Sequence, residues 1–259
     1  MSHNIALNLG PIIGHRGLAA LAPENTIESF ALAHHYGLKA VEFDVVLSAD
    51  GEAFVFHDLT LNRTTNGRGD IGKMTSEYLR HLDAGSWFSS RFIKAKIPTL
   101  KETLLWLAQH QMTANIEIKP YPGFTYDTVC SVLDHIKDFW PTTLPLPLIS
   151  SFEVDALRMC RKLHATLPLA YLLERWDVKE IALAESLNCV SLNMHHRAIT
   201  PKYVELLKQK GFLVYLYTVN QQSLISKYFS WGIDGVFSDY PGWECSGARR
   251  ALRTEEVAV

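Results

Sequence analysis

Apolar residues fall into short runs of strand length, separated by longer stretches with helical periodicity. Runs at 12–15, 40–46, 53–57, 114–118, 148–151, 169–173, 190–193, 213–218 and 235–238 read as strands. Strands alternating with helices are the pattern of a parallel α/β sheet, and nine strands are one more than an eight-stranded α/β barrel takes. Helix limits are marked by polar residues. Asn25 with Glu28 and Thr99 with Glu102 match the capping box, while Thr200, Pro201 and Gly211 occupy cap, first-turn and stop positions.

The surplus strand is explained by Asp50-Gly51, a pair suited to a two-residue hairpin turn with positive φ at both central positions. The strands on either side are then antiparallel, and 53–57 folds back over the rim as an excursion from the second strand. A two-residue turn pairs Ala49 with Glu52, Val46 with Val55 and Asp44 with His57. The stretch that follows, about 59–96, is long for a connection inside a compact domain. Its aromatic residues Trp87, Phe88 and Phe92 lead us to expect an ordered cap over the barrel mouth. One domain over 1–248 is expected, with 249–259 a loose tail lacking apolar periodicity.

Charged residues interrupt or end several apolar runs. Alternation along 40–46 places Glu42 and Asp44 on one face and Val41, Phe43 and Val45 on the other. Glu117 and Lys119 share a face opposite Ala114, Ile116 and Ile118. His15 and Arg16 end the first run, and the hairpin returns His57 to the carboxylates. Barrel active sites lie at the carboxyl ends of the strands, so these residues converge. Three clustered carboxylates are too costly to keep ionised without a cation, and hard oxygen ligands select Mg²⁺ or Ca²⁺. An ion-pair network with Arg16 and Lys119 is the alternative. Arg16 and Lys119 suit an anionic substrate, Arg16 with a fork that matches phosphate oxygens. Imidazole as a side-chain type has an intrinsic pKa near neutrality, so of His15 and His57 one can take a proton from a nucleophile while the other gives one to a leaving alkoxide. Phosphodiester cleavage needs both. The pairs His34-His35 and His195-His196 read as surface residues, with lining of the mouth the alternative for His195 and His196, which follow a strand.

The chain has 259 residues, 47% of them hydrophobic, and 25 basic residues against 27 acidic ones give a net charge of -2. That balance provides no broad field for nucleic acid or an anionic membrane, so recognition of phosphate must be local. Cys130, Cys160, Cys189 and Cys245 are widely spaced, which fits reduced thiols better than disulfides or a zinc site. The start Met1-Ser2-His3-Asn4 lacks the features of a signal peptide, and no apolar run is long enough to span a bilayer. A cytoplasmic location without stable membrane insertion is expected.

The ordered motifs His15-Arg16-Gly17, Pro23-Glu24-Asn25-Thr26, Glu42-Phe43-Asp44, His57-Asp58, Arg63-Thr64-Thr65-Asn66-Gly67, Asn115-Ile116-Glu117-Ile118-Lys119, Ser150-Ser151-Phe152 and Tyr217-Thr218-Val219-Asn220 resemble the glycerophosphodiester phosphodiesterase family. The likeness is greatest to its cytosolic bacterial members and runs over nearly the whole chain. It implies a TIM-type (β/α)8 barrel with a small insertion after the second strand's hairpin. It further implies metal-dependent hydrolysis of glycerophosphodiesters, such as glycerophosphocholine and glycerophosphoethanolamine, to sn-glycerol 3-phosphate and an alcohol. By position, Glu42, Asp44 and Glu117 become metal ligands, His15 and His57 the acid/base pair, and Arg16 and Lys119 the phosphate contacts. Tyr217 stands where the family often has Trp and is expected to line the substrate site. Two alternatives are a phosphoinositide-phospholipase-like phosphodiesterase and a non-catalytic phosphodiester-binding protein.

Overall fold

Period-two alternation along the strands sorts side chains to two faces, and the fold follows from where each face is buried. The computed structural model describes residues 7–241. In chain order the elements are β1 (Ile12–Gly14), α1 (Ile27–His35), β2 (Ala40–Leu47), β3 (Ala53–Val55), α2 (Ser76–His81), α3 (Leu100–Gln109), β4 (Thr113–Ile118), α4 (Thr125–Phe139), β5 (Leu148–Ser151), α5 (Val154–Leu163), β6 (Leu169–Leu173), α6 (Val178–Ser186), β7 (Ser191–His195), α7 (Pro201–Gln209), β8 (Leu213–Tyr217), α8 (Gln222–Phe229) and β9 (Gly235–Ser238). Strand order β1-β9-β8-β7-β6-β5-β4-β2, closed by pairing of β1 with β2, makes an eight-stranded parallel barrel of the TIM type.

The outward strand residues Val41, Phe43, Val45, Ala114, Ile116 and Ile118 join the core shared with the surrounding helices. The inward residues Ile13, Ala40, Leu148, Ala170, Val190, Tyr215 and Phe237 fill the barrel interior. Towards the carboxyl ends of the strands the interior turns polar. Asn115 Nδ2 donates to Ser150 Oγ at 2.8 Å, and Ser191 Oγ donates to Asn193 Oδ1 at 3.1 Å, so these groups are satisfied within a polar layer beneath the mouth.

Nine strands do fit, because β2 is shared. β1 meets β2 only at Gly14 opposite Val41, and then turns away. The edge it leaves is taken up further along β2 by the antiparallel β3, with Val45 opposite Val55, Val46 opposite Phe54 and Leu47 opposite Ala53. This register differs by one residue from that of a two-residue turn. Ser48 N–H donates to Glu52 O at 2.9 Å, leaving Ala49, Asp50 and Gly51 as a three-residue loop. Only Gly51 there has positive φ, at 85°. The loop is the type I turn plus left-handed glycine that three-residue hairpins favour. Phe56 N–H donates to Asp44 O at 3.0 Å, so Phe56 and not His57 stands opposite Asp44.

The segment that follows the hairpin has its own small core. Leu61, Ile71, Leu79, Leu82, Ala84 and Ile97 pack against Val46, Phe54 and Phe56. It is tied to the hairpin tip by Asp50, which accepts from Ser76 N at 2.8 Å and from Ser76 Oγ at 2.7 Å. Trp87, Phe88 and Phe92 meet edge to face, with ring centroids 5.6 and 5.7 Å apart. The expected capping box forms at Thr99 and Glu102, and Thr200 and Pro201 cap and open α7. At α1 the cap is Thr26 and not Asn25. Cys130, Cys160 and Cys189 are free thiols; Cys245 and the tail at 249–259 lie outside the described residues. No helix among the described residues is long and apolar enough to cross a membrane.

Candidate active site

At the carboxyl ends of the strands a cavity of about 370 Å³ is lined by His15, Arg16, Glu42, His57, Asn115, Glu117 and Lys119 on one side. Phe152, Leu172, Glu174, Tyr217, Thr218 and Phe237 complete it. The site residues expected from the strand pattern meet here. Asp44 lies directly behind the cavity wall, buried, in contact with both Arg16 and Lys119.

The turn after β1 sets the first part of the site. Arg16 adopts a left-handed backbone at φ 50°, and its N–H donates to Glu42 Oε2 at 2.9 Å. Gly17 follows at φ 82°, where a Cβ would fall 2.0 Å from Ser29 Oγ, so the close approach to α1 admits only glycine. Asn25, also left-handed, is released from capping and donates from Nδ2 to Asp44 Oδ2 at 2.9 Å.

Glu42, Asp44 and Glu117 each present a carboxylate oxygen, and these atoms lie within 4.8 Å of one another. An ion-pair network would satisfy all three, but it satisfies one. Arg16 Nε and Lys119 Nζ approach Asp44 at 3.6 and 3.8 Å. Although burial alone would raise Asp44, the charges of Arg16, His57 and Lys119 and the Asn25 hydrogen bond hold it below the usual carboxylate range. Burial and then the charges of Asp44 and Glu117 push Glu42 well above that range. Glu117 makes no hydrogen bond or ion pair among the described residues, and burial followed by the charge of Asp44 pushes it up to about 8. Two hard oxygen donors with no ion-pair partner among the described residues, beside a third, fit a divalent cation better than they fit the protein alone. Arg16 is more deeply engaged than a free phosphate contact: Nη1 donates to Glu24 at 2.7 Å, and the buried Nε–H has no hydrogen-bond partner among the described residues.

Both histidines are held by carboxylates through the same ring nitrogen. His15 Nδ1 lies 2.6 Å from Asp239 Oδ1, and His57 Nδ1 lies 2.6 Å from Asp58 Oδ1. An ionised carboxylate only accepts, so Nδ1 carries the proton and Nε2 is left for chemistry. Burial lowers the His57 imidazole, outweighing the opposing charge of Asp44. Asp58 is held well below the usual range, first by the hydrogen bonds from Arg63. Arg63 donates from Nε to Asp58 Oδ2 at 2.7 Å and from Nη1 to Glu24 Oε2 at 2.6 Å. Glu24 in turn binds Arg16, so one chain of charges links both sides of the site. His57 therefore arrives by a different route from the one its spacing implies. β3 ends at Val55, and the Asp58–Arg63–Glu24 chain holds the turn that follows.

Arg63 belongs to the inserted segment, yet no residue of 59–96 lines the cavity among the described residues. His34 and His35 are exposed, as expected. His195 and His196 are half-buried and are not among the residues lining the cavity: His196 Nδ1 lies 3.0 Å from Tyr228 Oη, and the His195 ring meets Tyr217 edge to face. Asp239 and Glu174 were not singled out from sequence, although each directly follows an apolar run, the same signal that marks His15 and His57.

A family model described as "Glycerophosphoryl diester phosphodiesterase family" matches residues 15–243. A glycerophosphodiester phosphodiesterase of Caldanaerobacter subterraneus is 32% identical over 234 residues, 89% of this chain and 94% of that one. One from Bacillus subtilis is 32% identical over 247 residues, 88% of this chain and 83% of that one. Among solved structures, an Oleispira antarctica phosphodiesterase in complex with the product sn-glycerol-3-phosphate is 36% identical, with a TM-score of 0.88 over 95% of this chain and 98% of that one. With its barrel, its carboxylate cluster and its paired histidines, the chain belongs to the glycerophosphoryl diester phosphodiesterase family and is an enzyme of that class.

Proposed function

We propose that the enzyme hydrolyses glycerophosphodiesters to sn-glycerol 3-phosphate and an alcohol, with His15 and His57 sharing proton transfer across a phosphate held beside Arg16 and Lys119. The observation that carries this reading is the pair of carboxylate-held imidazoles facing one cavity with the three-carboxylate cluster. One Nε2 accepts the proton of the attacking hydroxyl as its oxygen bonds to phosphorus. The other imidazole, protonated, gives its proton to the alcohol oxygen as the second P–O bond breaks. Asp239 and Asp58 fix each ring and stabilise its charged form. Lys119 offsets phosphate charge from the cavity wall, and the part of Arg16 not bound to Glu24 does the same. Glu42, Asp44 and Glu117 are the ligands for Mg²⁺ or Ca²⁺, which when bound neutralises charge and orients the reacting oxygens. Glycerophosphocholine and glycerophosphoethanolamine are the expected substrates of this class, and a cytoplasmic enzyme would meet them as small soluble molecules.

A product assay on purified protein, with metal stripped and restored, tests the reading. Formation of sn-glycerol 3-phosphate that requires the metal supports it. Release of inositol phosphates from lipid vesicles but no cleavage of soluble diesters would replace it.

A further inference from the structure

Between α2 and α3 the inserted segment makes a closed loop whose outer surface joins apolar side chains to cations. Ala84 N–H donates to Ala95 O at 2.9 Å and ties the base, and Phe92 N–H donates to Ser89 O at 3.0 Å within it. A Cβ on Gly85 would fall 1.8 Å from Phe92 O, so the two arms meet where only glycine fits. Phe92 packs against the main core, and Trp87 donates from Nε1 to Ala84 O at 2.8 Å. The loop is thus tied down, yet Trp87 remains 39% exposed and Ile93 59% exposed. Arg91 and Lys94 are exposed too, with no ion pair or side-chain hydrogen bond among the described residues. Lys96 adds a third cation, its Nζ donating to His81 O at 3.0 Å. No acidic residue occurs between Asp83 and Glu102. The Asp83 carboxylate, beside Lys96, is taken up by Gly85 N–H, Ser86 N–H and Ser86 Oγ. A locally positive, partly apolar patch therefore stands on a chain whose net charge is -2.

A lone exposed apolar residue needs no explanation, but an indole and an aliphatic tip on one short loop with cations between and beside them do. An anionic lipid surface answers both features. Indole settles at the level of the headgroups, the aliphatic tip enters the boundary with the acyl chains, and the cations draw the loop to anionic headgroups. A second copy of the chain fits worse, because a two-fold contact would set the cations against themselves. Nucleic acid would use the cations and an aromatic face, but it offers nothing to Ile93, the most exposed large apolar residue of the loop. We propose that the loop at 84–96 docks the protein reversibly on membranes rich in anionic phospholipid, with Trp87 and Ile93 entering the headgroup region and Arg91 and Lys94 meeting lipid phosphate. No residue of this loop lines the barrel-mouth cavity, so docking leaves the site free. Glycerophosphodiesters form where phospholipids lose their acyl chains, and docking holds the enzyme near that supply. This consequence rests on the phosphodiesterase reading; docking itself does not.

Co-sedimentation of the full chain with lipid vesicles tests this. Wild type should partition into vesicles of phosphatidylglycerol and phosphatidylcholine in equal parts, far less into phosphatidylcholine alone, and less as salt rises. Arg91→Gln combined with Lys94→Gln should lower the partition coefficient roughly 10- to 30-fold, since each cation near an anionic surface is worth about 5-fold. Ile93→Ser should lower it roughly 3- to 20-fold through lost apolar burial. These three side chains are exposed and make no hydrogen bond among the described residues, so melting temperature and kcat/KM on soluble glycerophosphocholine should match wild type. Failure of wild type to partition, equal partitioning into both vesicles, or partitioning that either variant leaves unchanged would overturn the proposal. Binding to a single-stranded oligonucleotide that the two Gln changes abolish, without partitioning into vesicles, would assign the patch to nucleic acid instead. Sedimentation needs no turnover, so a failure of the hydrolase reading would show in the product assay and leave this result standing.

Discussion

The two halves of the barrel mouth are built from opposite materials. β1 through β4 deliver His15, Arg16, Glu42, Asp44, His57, Glu117 and Lys119, while β5 through β9 deliver Phe152, Leu172, Glu174, Tyr217 and Phe237. The first half holds its side chains in a dense set of charge contacts, the Arg16–Glu24–Arg63–Asp58–His57 chain, and His15 is held across the seam by Asp239, which follows β9. The second half is held by the Phe152–Tyr217 contact and by the Asn220–Asp239 hydrogen bonds, and among the described residues Glu174 is unpaired and the buried Tyr217 hydroxyl has no partner. A preorganised charged wall suits a reaction whose charge changes are fixed, whereas a looser aromatic wall suits arms that differ between substrates. If that division holds, changes in the first half should cost turnover on every substrate, and changes in the second should cost preference.

The largest effect is expected from removing the metal. Chelation should abolish turnover, and Mg²⁺ or Ca²⁺ should restore it; full activity in a preparation shown to be metal-free would break the comparison at its base. Glu117→Gln should weaken metal binding in a calorimetric titration, because it removes a ligand charge at nearly constant shape. The pH dependence has a definite sign. Glu117 is raised from 4.5 to about 8, so the metal-free fold binds more protons than the unfolded chain between those values. The stability of that fold therefore falls as pH rises through this window, and metal binding must displace the protons. The rise in melting temperature produced by metal should accordingly grow from pH 5 to pH 8. A shift independent of pH would remove Glu117 from the ligand set.

Next come the histidines. His15→Ala and His57→Ala should each lower kcat by roughly 10²- to 10⁴-fold with folding and metal binding intact. The double variant should lose far less than the product of the two, since the pair acts as one relay. A nitrophenyl diester needs little protonation of its leaving group, so it should rescue the variant lacking the acid and not the one lacking the base. Equal, unrescued losses would argue for purely electrostatic roles.

The difference between the halves also explains what could be read from sequence. A carboxylate inside an apolar run violates strand patterning, so Glu42, Asp44 and Glu117 are visible without a structure, and so is the face they share. Hairpin register was less legible. Asp50-Gly51 signals a turn, but whether the loop has two residues or three depends on Ser48 pairing with Glu52, which composition does not reveal. The one-residue shift moves His57 off Asp44 and makes its place depend on Arg63, a residue of the insertion. Asn25 was hidden for a similar reason: a polar residue before a helix has a local explanation as a cap, and Thr26 beside it does that work while Asn25 turns to Asp44. The aromatic side of the mouth is legible only in part: the family resemblance places Tyr217 there, whereas Phe152 just past a strand end looks like ordinary core.

Asn25 offers a smaller and sharper test of the first half. Its left-handed backbone at φ 57° tolerates glycine, so Asn25→Gly removes the hydrogen bond to Asp44 without forcing the turn. Loss of a partner that orients a ligand typically costs about 10- to 100-fold in metal affinity or activity. Metal titration should show a loss in that range, uniform across substrates. A variant that changes substrate preference and leaves metal affinity alone would blur the two halves.

The smallest expected effect, and the most direct probe of the second half, is Tyr217→Phe. The Tyr217 hydroxyl is buried and has no hydrogen-bond partner among the described residues, an arrangement that costs stability unless something else supplies one. Because Tyr217 lines the cavity, an oxygen of the bound diester is the natural acceptor. Removing the hydroxyl should leave the melting temperature unchanged or slightly raised, since an unsatisfied polar atom is lost and the ring packing against Phe152 is kept. kcat/KM should fall by about 2- to 10-fold, the equivalent of one neutral hydrogen bond worth about 0.5–1.5 kcal/mol. Since the aromatic faces survive, the order of preference among leaving groups should survive with them, whereas Phe152→Ala, which removes one face, should change it. A clear drop in melting temperature with undiminished kcat/KM would show that the hydroxyl serves the fold, and the second wall would then be packing that happens to face a cavity.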